Sequence, residues 1–569
     1  MQAEHADTCF TQVRALTRTI GFPALLPPQA RTMRSRLLIW IIPWLALSAA
    51  LFLAWMNPGI LNPTRVAWLL DGNDHGASAI GMAAYLRSPP TWPSLYSNLL
   101  MAPDGIPLAL TDGNPLLGLL LRPFASVLPV GVQYVGWWLL ACTLLHTGFA
   151  AALLRRFTPN PLACWTGTAL LTLMPVLLAR FGHVNLCAQW VILWALWIYV
   201  DPARSARLLW WVAATVVALL IHPYLTVMVA AIWGSAMLRD LAAARGGRAR
   251  AAVIGDIGTV IASLVLVLLF SGAINKPTMP GGGYGHFSMS LDALWNPNIG
   301  TYSTILPATS TEPAQALEGM NYLGLGLLAL LAIGLFHAVR HRAEIRSDAL
   351  FRRLIWLLPA FVVLTLVAMA PHLIWRGAVI ASVPLPDWVP KLFDPVRAAG
   401  RLFWPVLYTL AFAAIVLVGR MRFGTWLLAG ALLLQVADMW TVLASARGSG
   451  ILAAQTNPYR LTRDPRWDTL IAQADMIEFE PAEIRFNLEL LDEVTWRAVI
   501  AGKPVRFYHA SREPVAVRQR LTRDSVEFAL GHIDPHRLYV LFDTVPPPMV
   551  ADRVEKLDGI SIIPPTAHR

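Results

Sequence analysis

Long apolar runs recur along this 569-residue chain, and they restrict its possible folds more than any other feature does. A run of about 20 apolar residues is long enough to cross the hydrocarbon core of a bilayer. The bilayer core offers no water to the backbone, so such a run has to be a helix unless the chain closes into a barrel. The alternating pattern of barrel strands does not occur, and only 14% of the residues are charged. The sequence therefore predicts a mainly α, polytopic helical membrane protein.

About eleven spans are predicted from the positions of these runs. They cover residues 37–56, 130–154, 162–179, 186–200, 208–221, 224–238, 252–270, 322–339, 354–370, 402–418 and 425–443. Residues 115–129 are apolar but interrupted by Arg122 and Pro123, which favours a re-entrant or interfacial segment. Residues 78–86 are expected to form a short amphipathic helix at the membrane interface.

Arginine accounts for most of the net charge of +11, and it clusters at the ends of the apolar runs. If the span count is right, all of these clusters lie on one side, which the positive-inside rule makes the cytoplasm. Charge placed in this way orients a membrane protein, so nucleic acid is not an expected partner. The expected location is a bacterial inner (cytoplasmic) membrane, with residues 1–36 in the cytoplasm.

The same orientation predicts that the polar loops 57–129, 271–321 and 371–401 of the membrane domain (37–443) lie in the periplasm. Residues 444–569 follow on that side. In this part of the chain charged residues become frequent and the apolar runs become shorter. About 125 residues suffice for a small α+β domain. We expect a helix at 458–472 and strands at 484–491, 505–509, 526–530 and 538–542.

Three carboxylates in the first polar loop are candidates for chemistry. Asp71 and Asp74 lie in the sequence DGNDHG, and Asp112 lies in LTDGNPLL. An ionised carboxylate at the membrane surface can take a proton from a hydroxyl group, or it can bind a metal. The alternative is structural, because DGND is also a good turn sequence and Asp112 can cap the next helix.

Basic residues at predicted span ends are candidates for binding phosphate. Arg180 and His183 in ARFGHVNL lie on either side of Gly182, and Arg397 and Arg401 are four residues apart, which places them on one face if the segment is helical. His222 in LIHPYL lies at a break between two spans. The alternatives are interfacial anchors for the first pair, an ion pair with Asp394 for the second, and a helix end for His222.

The glycine- and aromatic-rich loop after residue 271 is a candidate sugar-binding cleft. Aromatic rings stack on sugars, and polar side chains bind their hydroxyl groups. The residues concerned are Tyr284, His286, Trp295, Glu318 and Tyr322. The alternative is a loop that packs against the C-terminal domain.

The order of several motifs resembles a bacterial family of uncharacterised multi-pass membrane proteins, which is itself similar to the GT-C glycosyltransferases. The motifs are DGNDHG, YSNLLMAPDGIPLALTDGNPLL, RFGHVNLCAQW, SMSLDALWNP, EGMNYLG, RAAGRLFWPVLY and, in the tail, YHASREP. The resemblance implies a GT-C-like membrane domain that transfers a sugar from a polyprenyl-phosphate donor to a periplasmic glycan or lipid acceptor, with inversion.

The resemblance also implies roles for the candidate residues. Asp74 would be the catalytic base, Asp71 the second choice, and Asp112 a further acidic position. Arg180, His183, Arg397 and Arg401 would bind the lipid phosphate. A divalent metal, Mg²⁺ or Mn²⁺, is a candidate cofactor, with Asp74, Asp112 and His183 as candidate ligands. Two other functions stay open, a flippase or transporter of a lipid-linked sugar and a non-catalytic scaffold of envelope polysaccharide assembly.

Overall fold

The structure is a computed structural model that describes most of the chain. The described residues are 28–274, 277–297, 302–307, 318–449, 455, 457–483, 487–542 and 544–566. Most of the predicted segment 1–36 therefore lies outside the described residues. The chain divides into two compact units, Met1–Leu47 and Ser48–Arg569. In the first unit the described part is the beginning of helix Pro28–Trp55.

Helices dominate the described chain before the C-terminal domain, which confirms the predicted mainly α class. The longer helices are Pro28–Trp55, Asp74–Arg87, Val135–Leu154, Pro161–Thr172, Trp190–Tyr199, Leu208–Ile221, Pro223–Ala243, Gly247–Ser271, Leu325–Arg340, Leu358–Met369, Trp404–Gly419, Gly424–Asp438 and Trp440–Ser449. Shorter ones are Pro115–Leu121, Pro175–Leu178, Pro202–Ser205, Arg342–Ser347, Ala349–Leu354 and Trp388–Phe393.

Five segments of the described chain are long and apolar enough to cross a membrane. They are Val135–Leu154, Pro223–Ala243, Gly247–Ser271, Ala349–Met369 and Ala399–Gly419. A sixth candidate is the pair Gly424–Asp438 and Trp440–Arg447, which is bent by 55°. These helices support a protein of the membrane type. The other predicted spans also contain helices, but their apolar helical stretches are shorter, for example Trp40–Trp55 and Leu208–Ile221, so the number eleven stays a prediction.

Prolines explain part of this shortening. The predicted span 162–179 is interrupted where helix Pro161–Thr172 ends and the single turn Pro175–Leu178 begins. Proline lacks a backbone N–H and disfavours helical conformation in the residue before it, and Met174 is indeed extended. An apolar run can therefore be long enough for a span while its helix is not.

Helix Asp74–Arg87, here called the site helix, differs from its prediction. Residues 78–86 were expected to form an interfacial amphipathic helix, but every residue from His75 to Tyr85 is buried. The helix is therefore part of the protein interior. Arg122 follows helix Pro115–Leu121 and donates hydrogen bonds to the carbonyls of Tyr85 and Ser88, each at 2.7 Å. Such a cation at a helix C-terminus satisfies carbonyls that lack a partner within the helix.

The C-terminal domain combines a four-stranded sheet with helices. Strand Met476–Glu480 runs parallel to Arg537–Leu541, and Ile560–Ile563 and Glu555–Leu557 continue the sheet in antiparallel order. The helices are Arg466–Gln473, Leu488–Ala501 and Val515–Ala529. The chain thus forms a mixed α and β region after residue 457.

Only one of the predicted strands is confirmed, namely 538–542. Residues 488–491 and 526–529 are helical, so those two strand predictions are wrong where the structure describes them; residues 484–486 lie outside it. Residues 505–509 form only isolated bridges at Val505. The predicted helix 458–472 begins later, at Arg466. Short apolar runs fit one face of a helix as well as a buried strand, and this ambiguity explains the errors.

Helix Leu488–Ala501, here called the docking helix, packs directly on the site helix. A β-carbon added at Gly76 would lie 2.2 Å from the carbonyl oxygen of Leu69 and 2.9 Å from Oδ2 of Asp492. One added at Gly72 would lie 2.9 Å from the backbone nitrogen of Glu489. The two glycines of DGNDHG therefore leave the space that the C-terminal domain occupies.

We expect Gly76→Ala to destabilise the protein by about 1–3 kcal/mol, because the methyl group clashes with the carbonyl of Leu69 and crowds Asp492 of the docking helix. The measurement is the midpoint of thermal unfolding in detergent. Gly234→Ala is the matched control, since nothing lies within 4 Å of a β-carbon at this helical position. Equal midpoints for the two variants would contradict the proposed close contact.

Candidate functional site

Five charged side chains from distant parts of the sequence meet near the start of the site helix; we call them the charge cluster. Oδ2 of Asp74 lies 2.5 Å from Nδ1 of His183, and Nε2 of His183 lies 3.1 Å from Oε1 of Glu318. The other oxygen of Glu318 pairs with Arg180 at 2.7 Å and with Nε of Arg401 at 2.5 Å. The arrangement is a continuous chain from a carboxylate through an imidazole to a carboxylate held by two guanidinium groups.

The segment Arg180–Asn185 reaches the site helix through aromatic packing. The ring of Phe181 lies 5.9 Å from the ring of Trp68 and 5.7 Å from that of His75. Asn185 then donates hydrogen bonds to the carbonyls of Asp112 (2.8 Å) and Gly113 (3.0 Å). These contacts hold His183 opposite Asp74. The segment thus contacts both DGNDHG and LTDGNPLL, the two motifs of the first polar loop.

Backbone contact brings Glu318 to Arg401. A β-carbon at Gly400 would lie 2.7 Å from Cα of Gly319 and 3.1 Å from the carbonyl oxygen of Glu318. Asn321 donates hydrogen bonds across this contact to the carbonyls of Gly319 (3.1 Å) and Gly400 (3.0 Å). Only glycine permits such an approach, so the AAGR and EGMN motifs fit together as a pair.

Exposure within the charge cluster changes from one end to the other. Arg180 is fully buried, and the side chains of Glu318 and Arg401 are 8% and 9% exposed. The side chains of Asp74 and His183 are 32% and 28% exposed. The cluster therefore presents Asp74 and His183 to the surroundings and keeps the two arginines beneath them.

The neighbouring charges determine the protonation states of the exposed end. Burial alone would raise the pKa of Asp74, but His183, together with His509 and Arg401, holds that pKa below its ordinary value. Burial alone would lower the pKa of His183, but its hydrogen bonds to Asp74 and Glu318 raise it. Arg180 and Arg401 more than offset burial at Glu318 and keep its pKa well below the usual range. At neutral pH the cluster thus holds ionised carboxylates.

Asp112 behaves differently from Asp74. Burial, reinforced by the negative charge of Asp74, raises the pKa of Asp112 to about 7. The hydroxyl of Ser78 donates to the backbone carbonyl of Asp112 at 2.7 Å, which joins this residue to the site helix. Two neighbouring carboxylates whose pKa values are pushed apart can act as a base and an acid at one pH.

A cavity of about 50 Å³ adjoins Asp112. Its polar lining includes Asp112, Asn185 and His222, and its apolar lining includes Val267 and Leu268. The last two belong to helix Gly247–Ser271, whose apolar window is only 6% buried in the protein. The cavity therefore joins the polar site to a helix that faces away from the protein. Burial lowers the pKa of His222 to about 3, so this side chain is a neutral hydrogen-bonding group.

Asp71, the second choice for the base, lies outside the charge cluster. Its carboxylate pairs with His75 at 3.0 Å and accepts a hydrogen bond from the backbone N–H of Asn73. His75 also contacts the carbonyl of Trp68 at 3.0 Å. Asp71 therefore shapes the turn before the site helix, as the alternative interpretation of DGND expected.

The predicted pair Arg397 and Arg401 is separated in the structure. The chain is not helical at Ala398, with a ψ angle of 63°, so a spacing of four residues does not place the two on one face. Arg397 donates to the carbonyl of Gly281 at 2.8 Å, whereas Arg401 joins the charge cluster. Asp394 pairs with Arg512 of the C-terminal domain, so the alternative interpretation, an ion pair of Asp394 with Arg397 or Arg401, is wrong.

The aromatic residues of the predicted sugar cleft lie apart. The ring of Tyr284 stacks on Phe393 at 5.3 Å, and His286 is exposed against Phe287. Tyr322 is fully buried, and its hydroxyl donates to Asp438 at 2.7 Å. Of this predicted group, only Glu318 belongs to the charge cluster.

The C-terminal domain adds residues that the sequence interpretation missed. His509 is half-buried and lies near Asp74, where its protonated form would favour the carboxylate, but burial lowers the pKa of His509 itself, so it is neutral at neutral pH. Tyr508 contacts Asp492 of the docking helix at 3.3 Å, and Ser511 donates to the carbonyl of Leu110. The signal was present in YHASREP, which combines a tyrosine, a histidine and charged residues in a short polar run.

The predicted metal ligands do not form a metal site. Asp74 and His183 already pair with each other, and no group of three or more His, Cys, Asp or Glu side chains in the described part of the chain could hold a metal ion.

Two family models match the chain. The first, described as a domain of unknown function (DUF6311), matches residues 45–440. The chain belongs to the DUF6311 family. The second, the DUF6311 C-terminal domain, matches residues 466–565. No curated protein matches the chain. The charge cluster lies wholly within the first match, whereas Asp492, Tyr508 and His509 lie within the second.

Glu318→Gln is expected to destabilise the protein by about 3–5 kcal/mol, because it leaves two buried guanidinium groups without their counter-charge. Thermal unfolding of the purified protein is the measurement. Glu344→Gln is the control, since Glu344 forms an exposed ion pair with His341, worth about 0–1 kcal/mol. If both variants unfold at the wild-type temperature, Glu318 does not organise the cluster.

A pH series tests the state of His183. Because its folded-state pKa is raised above 6.5, protonated His183 stabilises the folded state fully below pH 6.5, and this contribution is lost as pH rises through the folded pKa. The stability advantage of wild type over His183→Gln should therefore shrink on going from mildly acidic to alkaline pH. His532→Gln, which removes an exposed histidine, is the control. An advantage that grows with pH would contradict this assignment.

Proposed function

We propose that this protein transfers a sugar from a polyprenyl-phosphate donor to a hydroxyl group of a glycan or lipid acceptor. The observation that carries the proposal is a partly exposed, ionised carboxylate, Asp74, next to Asp112, which lines a cavity together with residues of a membrane-type helix. A soluble substrate does not need an apolar approach from that direction. A substrate with a lipid tail and a polar head does.

Asp74 is the proposed base. As the acceptor oxygen forms its bond to the anomeric carbon, Asp74 takes the hydroxyl proton, and the bond from the anomeric carbon to the phosphate oxygen breaks. The bonding electron pair leaves with the polyprenyl phosphate. Attack from the face opposite the leaving group inverts the anomeric centre. Asp112, with its pKa near 7, is the second acid–base group at the site.

The charge cluster suits an anionic donor. Its three cations outnumber its two carboxylates by one when His183 is protonated. A positive field at the charge cluster would attract a phosphate and stabilise the charge that develops as it leaves. Arg180 and Arg401 are engaged with Glu318, so we propose that they act mainly through this field and that His183 is nearest to the ligand.

The proposed location follows from the arginine clusters in the sequence. We place the protein in a bacterial inner membrane, with the Asp74 site and the C-terminal domain on the periplasmic side. The lipid tail would enter beside helix Gly247–Ser271 and leave the sugar at Asp74.

The test compares purified wild type in lipid with Asp74→Asn, using a panel of radiolabelled polyprenyl-phosphate sugars. We expect release or transfer of label by wild type and a loss of about 10²–10⁴-fold in Asp74→Asn, because the amide cannot take the proton. Asp552→Asn, which changes an exposed carboxylate in the C-terminal domain, is the control for removing one charge.

Three outcomes would argue against the proposal. If a folded Asp74→Asn protein kept full activity, Asp74 would not be the base. If only Asp71→Asn lost activity, Asp71 would be the base instead. If folded wild-type protein bound none of the donors, the proposal that it is a transferase would be wrong. Movement of intact donor across the membrane would favour a transporter.

A further inference from the structure

A short β-hairpin and helix connect two of the membrane-type segments. Helix Leu358–Met369 ends the segment that starts at Ala349, and strands His372–Trp375 and Ala378–Ser382 follow almost at once. Helix Trp388–Phe393 comes next, before the segment Ala399–Gly419 begins. We call residues 370–393 the hairpin segment. Because it leads directly to Arg401, it lies at the same end of the helices as the charge cluster.

The outer surface of the hairpin segment is apolar and uncovered. All five residues of strand Ala378–Ser382 are exposed. The largest exposed side chains are Ile380 at 59%, Trp388 at 62% and Leu392 at 61%. By contrast, Ile374 on the opposite strand is only 1% exposed. The hairpin therefore packs on the protein with one side and presents aliphatic and tryptophan side chains with the other.

This apolar surface continues the surface of the preceding helix. Val363 and Leu366 of helix Leu358–Met369 are 58% and 59% exposed. In a membrane those side chains face lipid, and the hairpin starts directly beyond them. The apolar surface thus continues from the helix into the hairpin and is interrupted only by the polar pair His372 and Ser382, whose side chains hydrogen-bond to each other.

We propose that the hairpin segment lies in the headgroup layer of the membrane leaflet on the side of the charge cluster, with Ile380 and Leu392 inserted among the lipids. An exposed strand edge cannot enter the hydrocarbon core, because its backbone groups would lose their hydrogen bonds. At the headgroup level water satisfies that edge, and tryptophan is enriched there. Arg376 and Lys391, both exposed, can pair with lipid phosphates.

Insertion would also position a loop near the site. The backbone N–H of Leu291 donates a hydrogen bond to the carbonyl of Ile374 at 2.8 Å, and that of Met289 donates one to the carbonyl of Ala368 at 2.7 Å. The backbone N–H of Gly400 donates to Phe287 at 3.2 Å, next to Glu318 and Arg401. A hairpin anchored in lipid would therefore hold this loop between the membrane surface and the charge cluster. The proposal does not depend on the reaction that the site performs.

The experiment measures the depth of a fluorescent label. Cys9 is replaced by serine, and Cys142, Cys164 and Cys187 are kept because they are buried. Ile380→Cys and, separately, Leu392→Cys are labelled with the environment-sensitive dye NBD. Each full-length protein is placed in nanodiscs of phosphatidylethanolamine and phosphatidylglycerol. Quenching by a nitroxide on the lipid headgroup or upper acyl chain is compared with quenching by aqueous iodide.

Leu530→Cys is the matched control. This leucine is 52% exposed, which is similar to Ile380. It follows helix Val515–Ala529, and the start of that helix contacts residues 277–279 near the hairpin segment. A helix of this length places Leu530 roughly 20 Å from that contact. Its label should respond to iodide and not to the lipid nitroxide.

We expect labels at 380 and 392 to be quenched at least several-fold more by the lipid nitroxide than the control label, and to be protected from iodide. Quenching by iodide to the level of the control would show that the hairpin lies in water and would overturn the proposal. Protection from both quenchers would mean that protein covers the hairpin, either a second copy of the chain or another partner, and would overturn it as well.

Discussion

The carboxylate of Glu318 is the interaction on which the site depends. It binds Arg180 and Arg401 through one oxygen and His183 through the other, and it is almost fully buried. A guanidinium group buried without a counter-charge is strongly destabilising, so these segments have one favourable way to meet. Their meeting fixes the ends of the surrounding helices. It also fixes His183, and through His183 the orientation of Asp74.

The C-terminal domain belongs to the same assembly. Its docking helix occupies the space left by Gly72 and Gly76, and His509 lies near Asp74 and interacts with it when protonated. Arg520 pairs with Asp104 at 2.7 Å and so joins the domain to the first polar loop a second time. The two family matches meet at this contact. The electrostatic state of Asp74 therefore depends on both parts of the chain.

Local patterns in the sequence predicted the residues of the site better than their arrangement. The turn at Gly182 indicated that Arg180 and His183 act together, and both lie in the charge cluster. Hydropathy located the helices, but prolines such as Pro175 determine where each helix ends. The break at Ala398 separated Arg397 from Arg401, and a spacing rule cannot detect it. Tyr322 was misplaced because its partner, Asp438, lies 116 residues away in another apolar run.

The rigidity of the charge cluster bears on the choice between an enzyme and a transporter. Transport requires a site that opens alternately to each side, commonly through broken helices near the middle of the membrane. Here the buried charges join several segments at one end of the helices, and Gly400 and Gly319 are in direct backbone contact beneath them. Moving one segment would expose unpaired charge. Such a cluster is better suited to holding Asp74 in one position, which is what a reaction at the membrane surface requires.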